Sequence, residues 1–277
     1  MRFPERFLGI TVMPEYFLTE GVEAVLDNLQ RRAGASAITT APYVSALAPD
    51  GEGLREPPID AGAGGVRLLD RPLWGRRELF VRTAPAFVPD AALYAGLPYR
   101  PPVADALTLE QGPRIQAAIR AAKARGMEVH LQVQAANPPG YRVQSTGTVP
   151  EDRPLLPDGA ELPGRVDGNG SLAAPALLDY LCALLRDLAR AYPEVDAIRL
   201  DWPEYPPYAL GAVFFDFSPA AQALARQLGF DVAAMQRDAA ACWRAVQDGS
   251  AAAAILAARE GMVLRPEPGP AGATVPV

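Results

Sequence analysis

Two carboxylates stand where an apolar strand runs out, in the segment Val195-Asp196-Ala197-Ile198-Arg199-Leu200-Asp201-Trp202-Pro203-Glu204-Tyr205-Pro206-Pro207-Tyr208. Strand side chains alternate between faces, so Ala197, Arg199 and Asp201 share one face while Ile198 and Leu200 share the other. Charge on a strand face needs a polar cavity or a partner, and Arg199, two residues before Asp201, is the expected partner. Glu204 supplies a second carboxyl group, and Trp202 and Tyr205 give it the apolar surroundings that suit a proton donor. A carboxylate and a carboxylic acid so close in sequence can divide general-base and general-acid work between them.

These groups need a scaffold, and the hydrophobic pattern describes one. Leu8 to Met13 reads as a strand, followed by a helix that Thr19 would cap and that runs through Arg32 to Gly34. Ala35 to Ala41 is a second strand. Residues 46–105 are rich in Gly, Pro and charge and form a long loop insertion with short apolar pieces at Val66–Leu69 and Leu79–Val81; a loop of that length in a compact domain is usually functional. Thr108 and Gln111 have capping-box spacing before a helix from Leu109 to Arg125, which stops at Gly126. In the next strand, Glu128 to Gln134, Val129, Leu131 and Val133 face one way, and His130, Gln132 and Gln134 the other.

A second polar loop, Ala136 to Gly170, leads to a helix over Leu172–Tyr192 with leucines at helical spacing, and then to the strand ending at Asp201. Ser218-Pro219 opens another helix that Gly229 closes, and Asp231 to Gly249 forms the next. Residues 250–259 read as a continuation of helix and 266–277 as a flexible tail. Strands alternating with helices predict a parallel sheet with right-handed crossovers, in a single domain over 1–277. The expected class is α/β, a TIM-barrel-like (β/α) fold with long loop insertions after strands two and three. Four β/α units fall short of the eight of a closed barrel. A shortened or incomplete barrel, a fragment of a longer protein, or an open α/β sheet all fit the count.

Parallel α/β folds bind ligands beyond the carboxyl ends of their strands. Glu15 and Tyr16, Thr40 and Tyr43, Gln132, Gln134 and Asn137, and Asp201, Trp202, Glu204 and Tyr205 all fall there. The set is carboxylate, amide and aromatic. His130 is the single histidine, which excludes a multi-histidine metal centre, and no glycine-rich phosphate loop follows a strand. No metal or organic cofactor is expected. With 277 residues, a net charge of −6 and a sequence pI near 5.0, the chain does not suit nucleic acid or an anionic membrane. Cys182 and Cys242 read as small buried hydrophobes. Neither a cleavable leader nor a membrane span is legible, so a cytoplasmic address is expected.

Paired carboxylates with amides and aromatic faces suit carbohydrate chemistry. One carboxylic acid protonates the glycosidic oxygen while a carboxylate acts as nucleophile or base. Aromatic rings offer platforms for the C–H faces of sugars. Plainer roles exist for each residue: Asp201 with Arg199 as a structural ion pair, Glu204 as a solvated or capping residue, the aromatics as a rim, His130 as a satisfied interior histidine, Glu15 as a solvated loop residue. Arg67, Arg71, Arg76, Arg77 and Arg82 read as a solvated surface or as an anion contact on the long loop.

Leu131-Gln132-Val133-Gln134-Ala135-Ala136 and Asp196 to Tyr208, with weaker support from Phe214-Phe215-Asp216-Phe217-Ser218 and Leu228-Gly229-Phe230-Asp231, resemble the glycoside-hydrolase-like TIM-barrel proteins over roughly Leu8 to Asp231. Arg199-Leu200-Asp201 is similar to the Arg-x-Asp of the α-amylase-like superfamily, which implies Asp201 as nucleophile. Asp201-Trp202-Pro203-Glu204-Tyr205-Pro206 resembles the chitinase-like Asp-Trp-Glu-Tyr-Pro, which implies Glu204 as acid. The resemblance implies hydrolysis of a glycosidic bond by Asp201 and Glu204, with Glu15, Tyr43, His130, Gln132, Gln134, Asn137, Arg199, Trp202 and Tyr205 placing a saccharide. Two alternatives remain open: a non-catalytic carbohydrate-binding barrel, and a half barrel completed by a partner chain, which leaves a homo-oligomer open.

Overall fold

A computed structural model describes residues 7–47, 54–56, 79–141, 147–163, 165, 168–205 and 210–250. Four parallel strands form the main sheet: β1 (Gly9–Thr11), β2 (Ala37–Thr40), β6 (Glu128–Gln134) and β7 (Ala197–Asp201), ordered β1-β2-β6-β7. All four coincide with predicted strands. Registers such as Ile38↔Val129 and Gln134↔Asp201 place the alternating residues of neighbouring strands on common faces. Among the described residues the sheet is open and no barrel closes.

The connections are helical. After β1 come α1 (Pro14–Thr19) and α2 (Val22–Asp27), the latter continued by a π-helical turn over 28–32. Thr19 therefore ends a helix instead of capping one: its hydroxyl donates back to the Glu15 carbonyl at 2.7 Å, and Pro14 supplies the fixed φ that starts α1. Helix α3 (Ala106–Ala124) precedes β6, and α4 (Pro175–Ala191) precedes β7. The α3 capping box lies one turn earlier than its sequence suggests. Asp105 is the N-cap, accepting from Thr108 N at 3.0 Å, while Asp105 N donates to Thr108 Oγ1 at 3.3 Å. Helices α5 (Pro219–Gln227) and α6 (Val232–Gln247) start where expected, after Ser218, whose side chain caps α5, and Asp231, whose side chain caps α6.

The long insertion is more regular than a loop. β3 (Tyr43–Leu47) and β4 (Leu54–Glu56) both pair antiparallel with β5 (Leu79–Pro85), making a three-stranded sheet. The apolar piece Val66–Leu69, Arg67, Arg71, Arg76 and Arg77, and the tail 266–277 lie outside the described residues; Arg82 is exposed. Of the two cysteines, Cys182 is half-buried and Cys242 exposed, which corrects the expectation that both are buried; on α6 the buried positions are Val232 and Trp243.

One face of the main sheet carries the core. Ile38, Val129, Leu131 and Val133 are fully buried against Ile115 and Ile119 of α3 and Leu184 and Leu188 of α4. Each such side chain contributes about 1.5–3 kcal/mol relative to exposure. The opposite face is polar: Glu128 and Arg199 are exposed, and His130 and Gln132 are half-buried.

Candidate functional site

Residues of β6 and β7 on the polar face build the site. The register sets Gln132 beside Arg199 and Gln134 beside Asp201, so both glutamine amides lie within reach of the carboxylate that ends β7. Gln132 Nε2 donates to Asp201 Oδ2 at 2.7 Å and Gln134 Nε2 donates to the same oxygen at 3.0 Å. Asp201 Oδ1 receives no hydrogen bond from a described residue, and the residue is half-buried at the strand end. One oxygen is anchored, the other is open. Gln134 itself is 8 % exposed, and its Oε1 is buried without a donor, so its amide gives up one of its own bonds to hold the carboxylate.

The expected ion pair between Arg199 and Asp201 does not form. Arg199 Nη1 donates to Thr39 Oγ1 at 3.1 Å, reaching across β6 to β2. Along one strand, residues i and i+2 are separated by about 6.7 Å, whereas the glutamines on the adjacent strand are directly alongside Asp201. The neighbouring strand therefore wins the carboxylate.

After β7 the chain turns abruptly. Trp202 takes φ 50°, a left-handed conformation that costs a non-glycine residue about 1–3 kcal/mol. Asn169, fully buried, compensates by donating Nδ2 to the carbonyls of Trp202 and Glu204, each at 2.9 Å. The turn leaves Trp202 half-buried and the Glu204 side chain exposed. Tyr205, expected to contact a ligand, instead gives its hydroxyl to Asp216 Oδ2 at 2.9 Å and accepts from Leu172 N at 2.8 Å. Burial, followed by the charge of Asp216, pushes that hydroxyl well above its ordinary pKa. Asp216 also accepts from Leu155 N, Ser218 N and Ser218 Oγ, so it ties three loops together. The Arg165 guanidinium lies 5.0 Å from the Phe215 ring and 6.0 Å from that of Tyr205.

The other predicted residues fall into separate places. Glu15, 2 % exposed, accepts from Tyr43 Oη at 3.1 Å and from Ser45 Oγ at 3.2 Å, joining α1 to β3. In the main sheet, β1, which α1 follows, and β7, which ends in Asp201, are the two outer strands. Asn137 is buried just past β6. His130 is half-buried with Nε2 3.4 Å from Glu128 Oε2. Hence Asp201, Gln132 and Gln134 are brought together, Glu15 and Tyr43 form a second, enclosed cluster, and Arg199 reaches across the sheet to Thr39 while staying exposed.

Asn169 and Asp216, which set the geometry of the Asp201 turn, went unrecognised in the sequence. The Gly168-Asn169-Gly170 triplet was the available signal for Asn169; Asp216 lay within the marked segment 214–218, but nothing there announced its contacts with Tyr205 and Leu155. Among the described residues no cluster of three or more His, Cys, Asp or Glu could hold a metal ion. No helix among them is long and apolar enough to cross a membrane. A cavity of about 330 Å³ lies away from these residues, between Phe87–Val88, the first half of α3 and Tyr192. No protein-family model matches the chain, and no curated protein matches it.

Proposed function

We propose that the protein is a glycoside-hydrolase-type enzyme acting on a carbohydrate at the carboxyl ends of β6 and β7, with Asp201 as nucleophile or base and Glu204 as acid. The observation that carries this reading is the asymmetric holding of Asp201: two amide donors fix Oδ2 and leave Oδ1 open at the strand end. A nucleophile needs that combination, because an anchored carboxylate loses little orientational freedom on attack. Trp202, half-buried, follows it directly in the chain and is an aromatic residue of the kind that packs on sugar C–H faces. In this reading the four strands are the first half of a TIM-type barrel. Their order follows the chain without the reversal that marks a doubly wound sheet, which supports that winding. A cytoplasmic address and a neutral saccharide ligand belong to the same proposal.

One observation favours a second reading, non-catalytic carbohydrate binding. The Glu204 carboxylate is solvent-exposed and makes no hydrogen bond with a described residue, so it lacks the apolar surroundings a general acid requires. Assaying a panel of aryl glycosides and unmodified oligosaccharides with wild type and Glu204→Gln separates the two. Catalysis predicts turnover of at least one substrate and a loss of about 10²-fold or more in Glu204→Gln on poorly activated leaving groups. Saturable binding with no turnover in either protein would establish the second reading instead.

A further inference from the structure

The outer edge of β7 is a strand edge with self-complementary chemistry. Among the described residues β7 pairs only with β6. Asp201 O accepts from Ala135 N at 2.9 Å, so the main-chain groups of Asp201 face β6, and alternation turns those of Leu200 to the open side. No described residue meets them. The same strand exposes Arg199, and Leu200 at 44 %. An open edge of this kind invites another strand.

We propose that β7 pairs antiparallel with β7 of a second copy about a two-fold axis at Leu200, bringing Arg199 of the partner subunit beside Asp201. The register follows from the hydrogen-bonding parity. Leu200, whose N–H and C=O point outward, becomes a hydrogen-bonded pair with its own counterpart, and their apolar side chains meet on one face. Arg199 and Asp201 then oppose one another as non-hydrogen-bonded pairs. Those are the pairs with the closest side chains, with Cα atoms about 4.5 Å apart. Opposite charges face each other twice across the axis. A register centred on Arg199 or Asp201 would set like charges opposite each other, and a parallel pairing cannot be two-fold symmetric.

Asp201 is already prepared for such a neighbour, since its Oδ1 is open. Arg199 would exchange its neutral Thr39 acceptor for a carboxylate, the stronger hydrogen bond. The arginine absent from Asp201 within one copy is thereby supplied by the other. The dimer does not require the site to turn over a sugar, but its Arg199 would occupy the Asp201 oxygen that the proposed reaction uses, so turnover belongs to the monomer.

Sedimentation of the full chain across roughly 1–500 μM tests the assembly; the expected result is a concentration-dependent dimer. Leu200→Pro removes an outward N–H, a change an edge strand tolerates, and is expected to give a monomer with an unchanged circular dichroism spectrum. Arg199→Glu, at an exposed position, is expected to weaken the dimer at least 10-fold. In a Cys242→Ser background, Leu200→Cys is expected to form an intersubunit disulfide on mild oxidation, because Cα atoms of a hydrogen-bonded pair are about 5.5 Å apart. A protein that stays monomeric throughout the range would overturn the proposal. So would a dimer that survives both Leu200→Pro and Arg199→Glu and does not cross-link at position 200.

Discussion

Asp201 owes its geometry to residues on another strand. Its two glutamine donors differ from the arginine that sequence proximity suggests, because parallel registry brings side chains of adjacent strands closer than those two apart on one strand. Hydrogen bonds to a charged group contribute about 1.5–3 kcal/mol, so Gln132→Leu is expected to lower kcat about 10- to 100-fold with KM little changed. A rise in KM at constant kcat would assign Gln132 to saccharide binding instead of to positioning Asp201. Asp201 itself was legible in the sequence, since a carboxylate ending an apolar strand is a local signal. Its donors were legible as types, not as partners.

A second residue argues from burial alone. Asp187 on α4 is 3 % exposed and accepts from Tyr94 Oη at 2.9 Å and Asp90 N at 3.1 Å. Burial raises its pKa above the ordinary carboxylate value, against the opposing effect of those donors. A raised folded pKa means that its neutral form is favoured in the fold. Its contribution is therefore fully present below the unfolded value near 3.8 and is lost as pH rises through the raised one. Relative to Asp187→Asn, which does not titrate there, wild type should gain stability between pH 7 and pH 4 in denaturant titrations. A pH-independent difference would show that Asp187 is not the responsible group.

At the scale of elements, the strands and long helices were legible because their periods are uninterrupted. The residues that mark boundaries were harder to read. Both Asp105 and Thr108 can cap, and the three-residue spacing that identifies Thr108 with Gln111 also identifies Asp105 with Thr108; the earlier pair wins in the structure. The sheet of β3, β4 and β5 was read as loop because β4 has only three residues and β3–β5 pairing spans over thirty residues, a contact no local pattern announces. Helix α3 meets this sheet through Gly112, where a built Cβ would lie 2.6 Å from Ala86 O. Alanine improves helix propensity by about 1 kcal/mol, whereas overpacking against a fixed carbonyl costs about 1–3 kcal/mol. Gly112→Ala should thus lower stability by up to about 2 kcal/mol. An increase in the denaturant midpoint would mean that α3 and β5 separate easily.

For the whole molecule, the sheet divides labour between its faces. One face is buried by α3 and α4, and truncating its packing at Leu184→Ala should cost about 2–5 kcal/mol, measurable by chemical denaturation. The other face is polar and ends in Asp201. That division was legible in the alternation of Val129, Leu131 and Val133 with His130, Gln132 and Gln134. Closure was not, because whether a parallel sheet curls shut depends on strands and registers beyond the four units the pattern describes. The fall of Glu204 into solvent was equally hidden, since it depends on the left-handed turn at Trp202 and its remote anchor Asn169.

The central claim is that the open oxygen of Asp201 performs the reaction. The rate of glycoside hydrolysis by wild type and Asp201→Asn, on the best substrate of the panel and with folding checked by circular dichroism, tests it most directly. Asparagine keeps the shape but lacks the anionic oxygen, so a loss of about 10³-fold or more is predicted, the scale on which nucleophile replacement usually acts. Equal rates for the two proteins would contradict the account.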